Sequence, residues 1–273
     1  MWKLFQTAVL LTMLCNCSQV TPEQPAPAPG PEQVRKSAIP ADLPAPGSDI
    51  CKLMDGEGSR YMPAELCYLD DAVPGIRVNL RYCGCDNFVG RPLAGYTTGS
   101  RAILRRDTAA CIAKAQEELN KKGLGLLVWD AYRPHRAMKD FYAWSHTDDD
   151  RMKSQFYPNI TKRGIYEGKY IRRTSEHSLG VAVDVTIIDL ATGQELDMGT
   201  GFDFLDPSSA TRYTGITPEQ HANRMLLRDV MDRAGMRNYK REWWHYFLKE
   251  KGKVKRYDFP LSDTLVPTPE SPR

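Results

Sequence analysis

The chain has little excess of either charge and no long block of basic residues. Its 273 residues include 37 lysines and arginines against 34 aspartates and glutamates, a formal net charge of +3. Adjacent arginines occur only as pairs such as 105–106 and 172–173, which is ordinary for a solvated surface. Because nucleic-acid-binding domains usually carry a basic patch or stripe, the sequence argues against a nucleic-acid partner.

The N-terminus lacks an apolar run long enough to span a bilayer, which takes about 20 residues. Its apolar stretch covers only residues 7–14, after Lys3 and before Cys15 and Cys17. This is the layout of a signal peptide, and Leu14 lies three residues before Cys17, as in a bacterial lipoprotein cleavage box. We expect residues 1–17 to be a signal peptide and the protein to reach the periplasm. A membrane tether through an acylated Cys15 or Cys17 and an uncleaved membrane-surface anchor stay open.

Two further segments are rich in proline and have few large apolar residues. Residues 18–48 are rich in proline and alanine, which predicts an extended, semi-rigid linker. Residues 261–273 end in "LVPTPESPR", which predicts a flexible tail. No second linker and no internal repeat interrupts residues 49–260, so we expect one folded domain there.

Cysteine is scarce after the leader, with five residues at positions 51, 67, 83, 85 and 111. An exported location permits disulfides, and an odd number leaves at least one thiol unpaired unless a metal or a partner takes it. No histidine or second close cysteine pair lies near "CGC" at 83–85. We therefore favour disulfides over a metal site, with the pairing left open.

Hydrophobic periodicity and turn residues predict alternating strands and helices in the domain. The predicted strands cover residues 76–82, 124–132, 181–189 and 242–248, and the predicted helices cover 107–123, 133–144 and 217–235. This order favours an α+β fold, with a central, mostly antiparallel sheet flanked by helices.

Two of the five histidines lie beside apolar, strand-like sequence. His177 is in "SEHSLGVAVDV", seven residues before Asp184, and His245 is in "EWWHYFL". A satisfied core histidine is the alternative at each position, but two imidazoles and a carboxylate suit a catalytic zinc with one open position. Because residues at an odd spacing face opposite sides of a straight strand, His177 and Asp184 can share one zinc ion only if the chain bends near Gly180.

Glu242 lies three residues before His245, so the same parity argument requires a bend at residues 243–244. With that bend, Glu242 would be the general base that takes a proton from the attacking water. A salt bridge to Lys240 or Arg241 is the alternative.

Arg133 follows a predicted buried strand in "WDAYRP". Its guanidinium suits an oxyanion that develops during the reaction. The carboxylate of Asp130 could orient this guanidinium without contacting the substrate. The alternative is a residue that only begins the following helix.

Four motifs, "WDAYRP", "SEHSLGVAVD", "MGTGFDF" and "EWWHY", occur in the order found in the D-alanyl-D-alanine dipeptidases. That family includes the vancomycin-resistance dipeptidase and lies within the zinc D,D-peptidases. The stretch "RYCGCDNFVGRPLAGY" is similar to the family's Y-A-T-x-N-F-x-G region, with two cysteines in place of small residues. The resemblance covers roughly residues 68–260.

The resemblance implies a zinc site, a base, an arginine and a substrate pocket. The matching positions are the zinc ligands His177, Asp184 and His245, the base Glu242, the arginine Arg133 and, more weakly, the substrate-pocket residues Asp203 and Ser175.

The resemblance thus implies zinc-dependent hydrolysis of D-Ala-D-Ala to two alanines. A D,D- or L,D-carboxypeptidase of longer peptidoglycan stems and a non-catalytic cell-wall-binding lipoprotein are the alternatives. The resistance enzymes lack a leader, so the predicted export favours turnover of peptidoglycan fragments or nutrient recovery over antibiotic resistance.

Overall fold

The computed structural model describes residues 61–167, 170–262 and 264–267, and a five-stranded sheet forms their centre. The strands in chain order are β1 (Tyr61–Met62), β2 (Leu66–Tyr68), β3 (Arg77–Val78), β4 (Ile103–Arg105), β5 (Leu124–Asp130), β6 (Ala182–Asp189), β7 (Met236–Asn238), β8 (His245–Leu248) and β9 (Val266–Pro267). The α-helices are α1 (Leu69–Ala72), α2 (Arg106–Asn120), α3 (His135–Ser145), α4 (Lys153–Phe156), α5 (Lys162–Glu167) and α6 (Pro218–Arg233).

The central sheet has the strand order β3-β5-β6-β8-β7. Only the β3–β5 pair is parallel, whereas β5–β6, β6–β8 and β7–β8 are antiparallel. Two smaller sheets pair β2 with β4 and β1 with β9. The predicted α+β class with a mostly antiparallel sheet is confirmed.

The strand β6 is the middle strand of the central sheet, and nearly every one of its side chains is buried. Its sequence, AVDVTIID, is mostly β-branched, and such residues fit a pleated sheet that is covered on both faces. Asp184 is the single carboxylate within the buried part of this strand, from Ala182 to Ile188.

The longer helices follow their predicted positions closely. In α2 the side chains of Ile112, Ala115 and Leu119 are buried, and the helix packs against β5 and α6. At the start of α6, Thr217 and Gln220 form a capping box, which satisfies free N–H groups of the first turn.

The strand expected over residues 76–82 is shorter than predicted. Only Arg77–Val78 pairs with β5, and a 3₁₀ turn begins at Arg81. Ile76, Leu80 and Tyr82 are still buried, so the alternation reflects burial of one face rather than a long strand.

The domain extends past residue 260, so the prediction of a flexible tail was wrong for residues 261–262 and 264–267. Leu261 and Leu265 are buried, and β9 pairs in parallel with β1. The hydroxyl of Tyr68 also donates to the carbonyl oxygen of Ser262 over 2.7 Å. The predictions for residues 1–17 and 18–48, the domain start at 49 and residues 268–273 lie outside the described residues.

The four described cysteines, Cys67, Cys83, Cys85 and Cys111, are free thiols. A disulfide among them was therefore a wrong expectation, and Cys51 lies outside the described residues. Cys83 is half-buried and Cys85 is exposed, so the two close neighbours face different surroundings. Between residues 61 and 267, no described helix is both long and apolar enough to cross a bilayer.

Candidate active site

Three predicted site residues form one row across the central sheet. Asp184 on β6 lies directly opposite His245 on β8 and opposite Asp130 on β5. Directly opposed residues of neighbouring strands share a sheet face. The register of the sheet therefore brings two predicted zinc ligands and the predicted orienting carboxylate together.

His177 reaches the same place because the chain turns before β6. Residues Glu176–Leu179 form a 3₁₀ turn, and Ser175 caps it by accepting a hydrogen bond from the His177 N–H over 3.2 Å. Gly180 follows at φ = +69°, a left-handed conformation that favours glycine. The bend expected at Gly180 is thus present, and it lets His177 and Asp184 converge despite their odd spacing.

The side-chain atoms of the three predicted ligands form a small triangle. The Oδ1 atom of Asp184 lies 2.9 Å from Nδ1 of His245 and 3.4 Å from Nε2 of His177, and the two nitrogens lie 3.1 Å apart. Zinc–nitrogen and zinc–oxygen bonds of about 2.0–2.1 Å at tetrahedral angles separate ligand atoms by roughly 3.3 Å. The donor set and its spacing therefore fit one zinc ion.

The second ring nitrogen of His177, Nδ1, has a hydrogen-bond partner that leaves Nε2 free to bind zinc. Its Nδ1 lies 2.6 Å from the carbonyl oxygen of Ala131, and a carbonyl can only accept, so Nδ1 carries the proton. The lone pair of Nε2 then faces Asp184 and His245. Such backbone support is what orients metal-bound imidazoles in proteins.

Glu242 lies on the turn that leads into β8. The His245 N–H donates to the Glu242 carbonyl over 3.3 Å, and residues 243–244 form the turn expected from the parity argument. Burial raises the pKa of Glu242 to about 7; His245 opposes this shift and Asp184 adds to it. A divalent cation beside the carboxylate would favour its ionised form.

Arg133 is held by two carboxylates and two aromatic rings. Its Nε donates to Asp130 over 2.8 Å, and Nη2 lies 3.3 Å from Oδ2 of Asp184. The guanidinium carbon lies 5.0 Å from the ring centre of Tyr82 and 5.4 Å from that of Phe141. Within the described part of the chain, Nη1 makes only a 3.9 Å contact to the sulfur of Met138, which leaves its N–H donors for another acceptor.

Asp203 lies on a loop between β6 and α6, and its carboxylate lines one cavity with the three predicted zinc ligands. Its backbone has φ = +58°, which is uncommon for a residue other than glycine. Its Oδ2 accepts a hydrogen bond from the Tyr82 hydroxyl over 2.9 Å. Burial raises the pKa of Asp203 well above its usual value, and the nearby Asp184 raises it further.

A family model described as D-ala-D-ala dipeptidase, of the peptidase M15 type, matches residues 62–266. A D-alanyl-D-alanine dipeptidase of Streptomyces coelicolor is 38% identical over 203 residues, which cover 74% of this chain and 100% of that protein. The chain belongs to this family. The D-alanyl-D-alanine dipeptidases of Enterococcus faecium and Enterococcus faecalis are each 37% identical, over 71% and 66% of this chain and 96% and 90% of their own lengths.

The limits of the family match agree with the packing of the chain. The match ends at residue 266, within the segment 261–273 that the sequence alone predicts to be a flexible tail. In this dipeptidase-family chain, the strand β9 closes the domain by pairing with β1 near the start of the match.

Two tyrosines of the site were not assigned any role from the sequence. Tyr82 donates to Asp203, and Tyr96 donates to Oδ1 of Asp130 over 2.6 Å. Both lie in the stretch that is similar to a family region, which was the available signal. Their partners are 121 and 34 residues away, so only the folded chain identifies what they contact.

The predicted site residues surround one cavity of about 290 Å³. This is near the lower end of small-molecule pockets, roughly 300 Å³. All predicted site residues except the buried Asp130 line it: Arg133, Ser175, His177, Asp184, Asp203, Glu242 and His245. The remaining wall is partly aromatic, with Tyr82, Phe88, Phe141, Tyr170, Tyr239, Trp244 and Phe247.

Proposed function

We propose that this protein is a zinc-dependent dipeptidase that hydrolyses D-Ala-D-Ala to two D-alanines. The observation that carries the proposal is the triangle of His177, Asp184 and His245 atoms, with the buried carboxylate of Glu242 on the wall of the same cavity. The names of the three relatives support the choice of dipeptide. The small cavity suits a short substrate.

His177, Asp184 and His245 would hold the zinc ion. Zinc supplies Lewis acidity at such a site, where it polarises a carbonyl and makes water easier to deprotonate. Glu242 takes the proton of the attacking water on its carboxylate and passes it to the nitrogen of the leaving alanine. Its buried position keeps bulk water from competing for that proton.

Arg133 stabilises the negative charge that develops on the oxygen of the scissile carbonyl. Its Nε is engaged by Asp130, which fixes the plane of the guanidinium, whereas Nη1 has, among the described residues, only the sulfur of Met138 within hydrogen-bonding range. Preorganised donors of this kind are effective because they need little reorganisation during the reaction.

Asp203 binds the free amine of the dipeptide. A buried carboxylate with a raised pKa becomes ionised when a cation binds beside it, so an ammonium group is the natural partner of Asp203. Ser175 lies on the cavity wall, and its hydroxyl hydrogen can donate to the substrate while its oxygen caps the His177 turn.

Turnover of D-Ala-D-Ala by the full chain, with and without added zinc, tests this function. We expect zinc-dependent release of alanine, and an N-acylated pentapeptide stem should be cut at least about tenfold less efficiently. Equal or preferential cleavage of the stem would instead support a carboxypeptidase. Zinc binding without cleavage of either substrate would support a non-catalytic cell-wall-binding protein.

For the cellular setting, we propose export to the periplasm, turnover of peptidoglycan fragments and a lipid tether at Cys15 or Cys17. The support is the signal-peptide layout of residues 1–17 and the linker composition of residues 18–48. Mass spectrometry of the mature N-terminus should find an acylated cysteine on a membrane-fraction protein. An unmodified Met1 in the cytoplasmic fraction would contradict the proposal.

A further inference from the structure

The loop that carries Asp203 is fastened to the domain by a buried arginine outside the cavity. Arg224 lies on α6 with no exposed surface. Its Nε donates to the Met198 carbonyl over 2.6 Å, and Nη1 donates to the carbonyls of Ser208 and Ala210 over 2.9 and 2.8 Å. One guanidinium thus holds both ends of the segment 198–210.

The bonds of Arg224 are unusual because they all go to neutral groups. Its fourth contact joins Nη2 to the hydroxyl of Thr200 over 3.3 Å, and no carboxylate of the described residues forms an ion pair with it. A buried cation without a charged partner is costly. Burial lowers the pKa of Arg224 to about 10, which still leaves the group charged at neutral pH.

Hydrogen bonds within the same loop also stabilise it. The hydroxyls of Thr200 and Ser209 lie 3.0 Å apart, and the Ser209 hydroxyl donates to the Phe204 carbonyl over 2.5 Å. Asp203 lies between these ties with its backbone at φ = +58°. A residue in that conformation persists only where its surroundings hold it.

We propose that Arg224 is a positioning residue for Asp203: its guanidinium clamps both ends of the loop and so holds the Asp203 carboxylate in the cavity. Lysine could not replace it, because a single ammonium cannot span the three carbonyls that the planar guanidinium reaches. The inference rests on the proposed function for the role of Asp203 in binding the substrate amine.

A double-mutant cycle on zinc-loaded full-length protein tests the link. Arg224→Met should lower kcat/KM for D-Ala-D-Ala at least about tenfold in an otherwise unchanged chain, but no more than about threefold in the presence of Asp203→Asn. Arg233→Gln on the same helix is the control, because Arg233 is exposed and pairs with Glu118; it should change kcat/KM less than about twofold. Equal losses with and without Asp203→Asn would overturn the inference.

Hydrogen exchange gives a second result that does not depend on the substrate. In Arg224→Met, amides of residues 199–205 should exchange at least about tenfold faster, while those of β5 and β6 stay unchanged. If Arg224→Met does not fold, Arg224→Lys is measured in the same way, with the same expected result. A folded variant with unchanged loop exchange would overturn the inference, whereas a wild-type protein inactive on D-Ala-D-Ala would contradict only the proposed function.

Discussion

Asp184 and Asp203 are both buried carboxylates of one cavity, but the fold holds them in different ways. Asp184 lies within β6, between paired residues of β5 and β8, whereas Asp203 lies in a loop at positive φ with Tyr82 as its hydrogen-bond partner. Two hydrogen-bonded strands define the position of Asp184. The position of Asp203 depends on ties made elsewhere, chiefly at Arg224.

The surroundings of the two groups also set their charge in opposite directions. Burial opposes ionisation of Asp184, yet His177 and His245 lower its pKa. Burial raises the pKa of Asp203, and Asp184 raises it further. Asp184 is therefore suited to a cation that stays bound, and Asp203 to a cation that arrives with the substrate.

Breaking the strand-held row should have the largest effect. His245→Ala removes one of three predicted zinc ligands, so we expect zinc to be lost and kcat/KM to fall by about 10³-fold or more. Zinc content by mass spectrometry and turnover of D-Ala-D-Ala measure the two losses. His146→Ala is the control, since His146 is exposed and lies outside this cavity. Retention of a full zinc equivalent by His245→Ala would contradict the ligand assignment.

Removing the general base should slow hydrolysis strongly while the zinc ion stays bound. Glu242→Gln should lower kcat by about 10²–10⁴-fold with zinc content unchanged. Glu176→Gln is a matched control on the same cavity wall, because Glu176 pairs with Lys251; we expect a change within about threefold. Activity of Glu242→Gln within about tenfold of the wild type would argue against its role as base.

Removing the charge of Asp130, which supports Arg133 and His177, should have an intermediate effect. Asp130→Asn removes the charge that orients Arg133 and lies 3.5 Å from Nδ1 of His177, so kcat/KM should fall about 10–100-fold. Asp189→Asn at the other end of β6 keeps the local turn and should leave kcat/KM unchanged. Steady-state kinetics and zinc affinity check both variants, and a wild-type kcat/KM for Asp130→Asn would show that Arg133 is positioned without it.

The bend that brings His177 to the row should be sensitive to one methyl group. In Gly180→Ala the new Cβ would lie 3.0 Å from a methyl carbon of Leu66, and alanine would have to adopt φ = +69°. We therefore expect the free energy of unfolding to fall by about 1–2 kcal/mol. Gly193→Ala separates the two causes, because Gly193 has φ = +73° but nothing within 4 Å of the added atom. Equal losses in denaturant unfolding would show that the contact with Leu66 contributes nothing.

Several local features of this protein follow from the type and spacing of neighbouring residues. The capping box at Thr217, the strand around Asp184 and the need for bends at Gly180 and before His245 all come from spacing and residue type. Parity was decisive, because it required turns at two definite places if the predicted ligands were to meet, and the structure has a turn at each.

Only the tertiary structure decided which distant groups meet. The hydroxyls of Tyr82 and Tyr96 find carboxylates far along the chain, and Arg224 finds carbonyls on a loop that precedes it. Residues 261–273 read as a tail because the segment is rich in proline, yet Leu261 and Leu265 are buried and β9 pairs with β1. Local sequence determines which backbone conformations are favourable, whereas partners across the fold depend on how the whole chain packs.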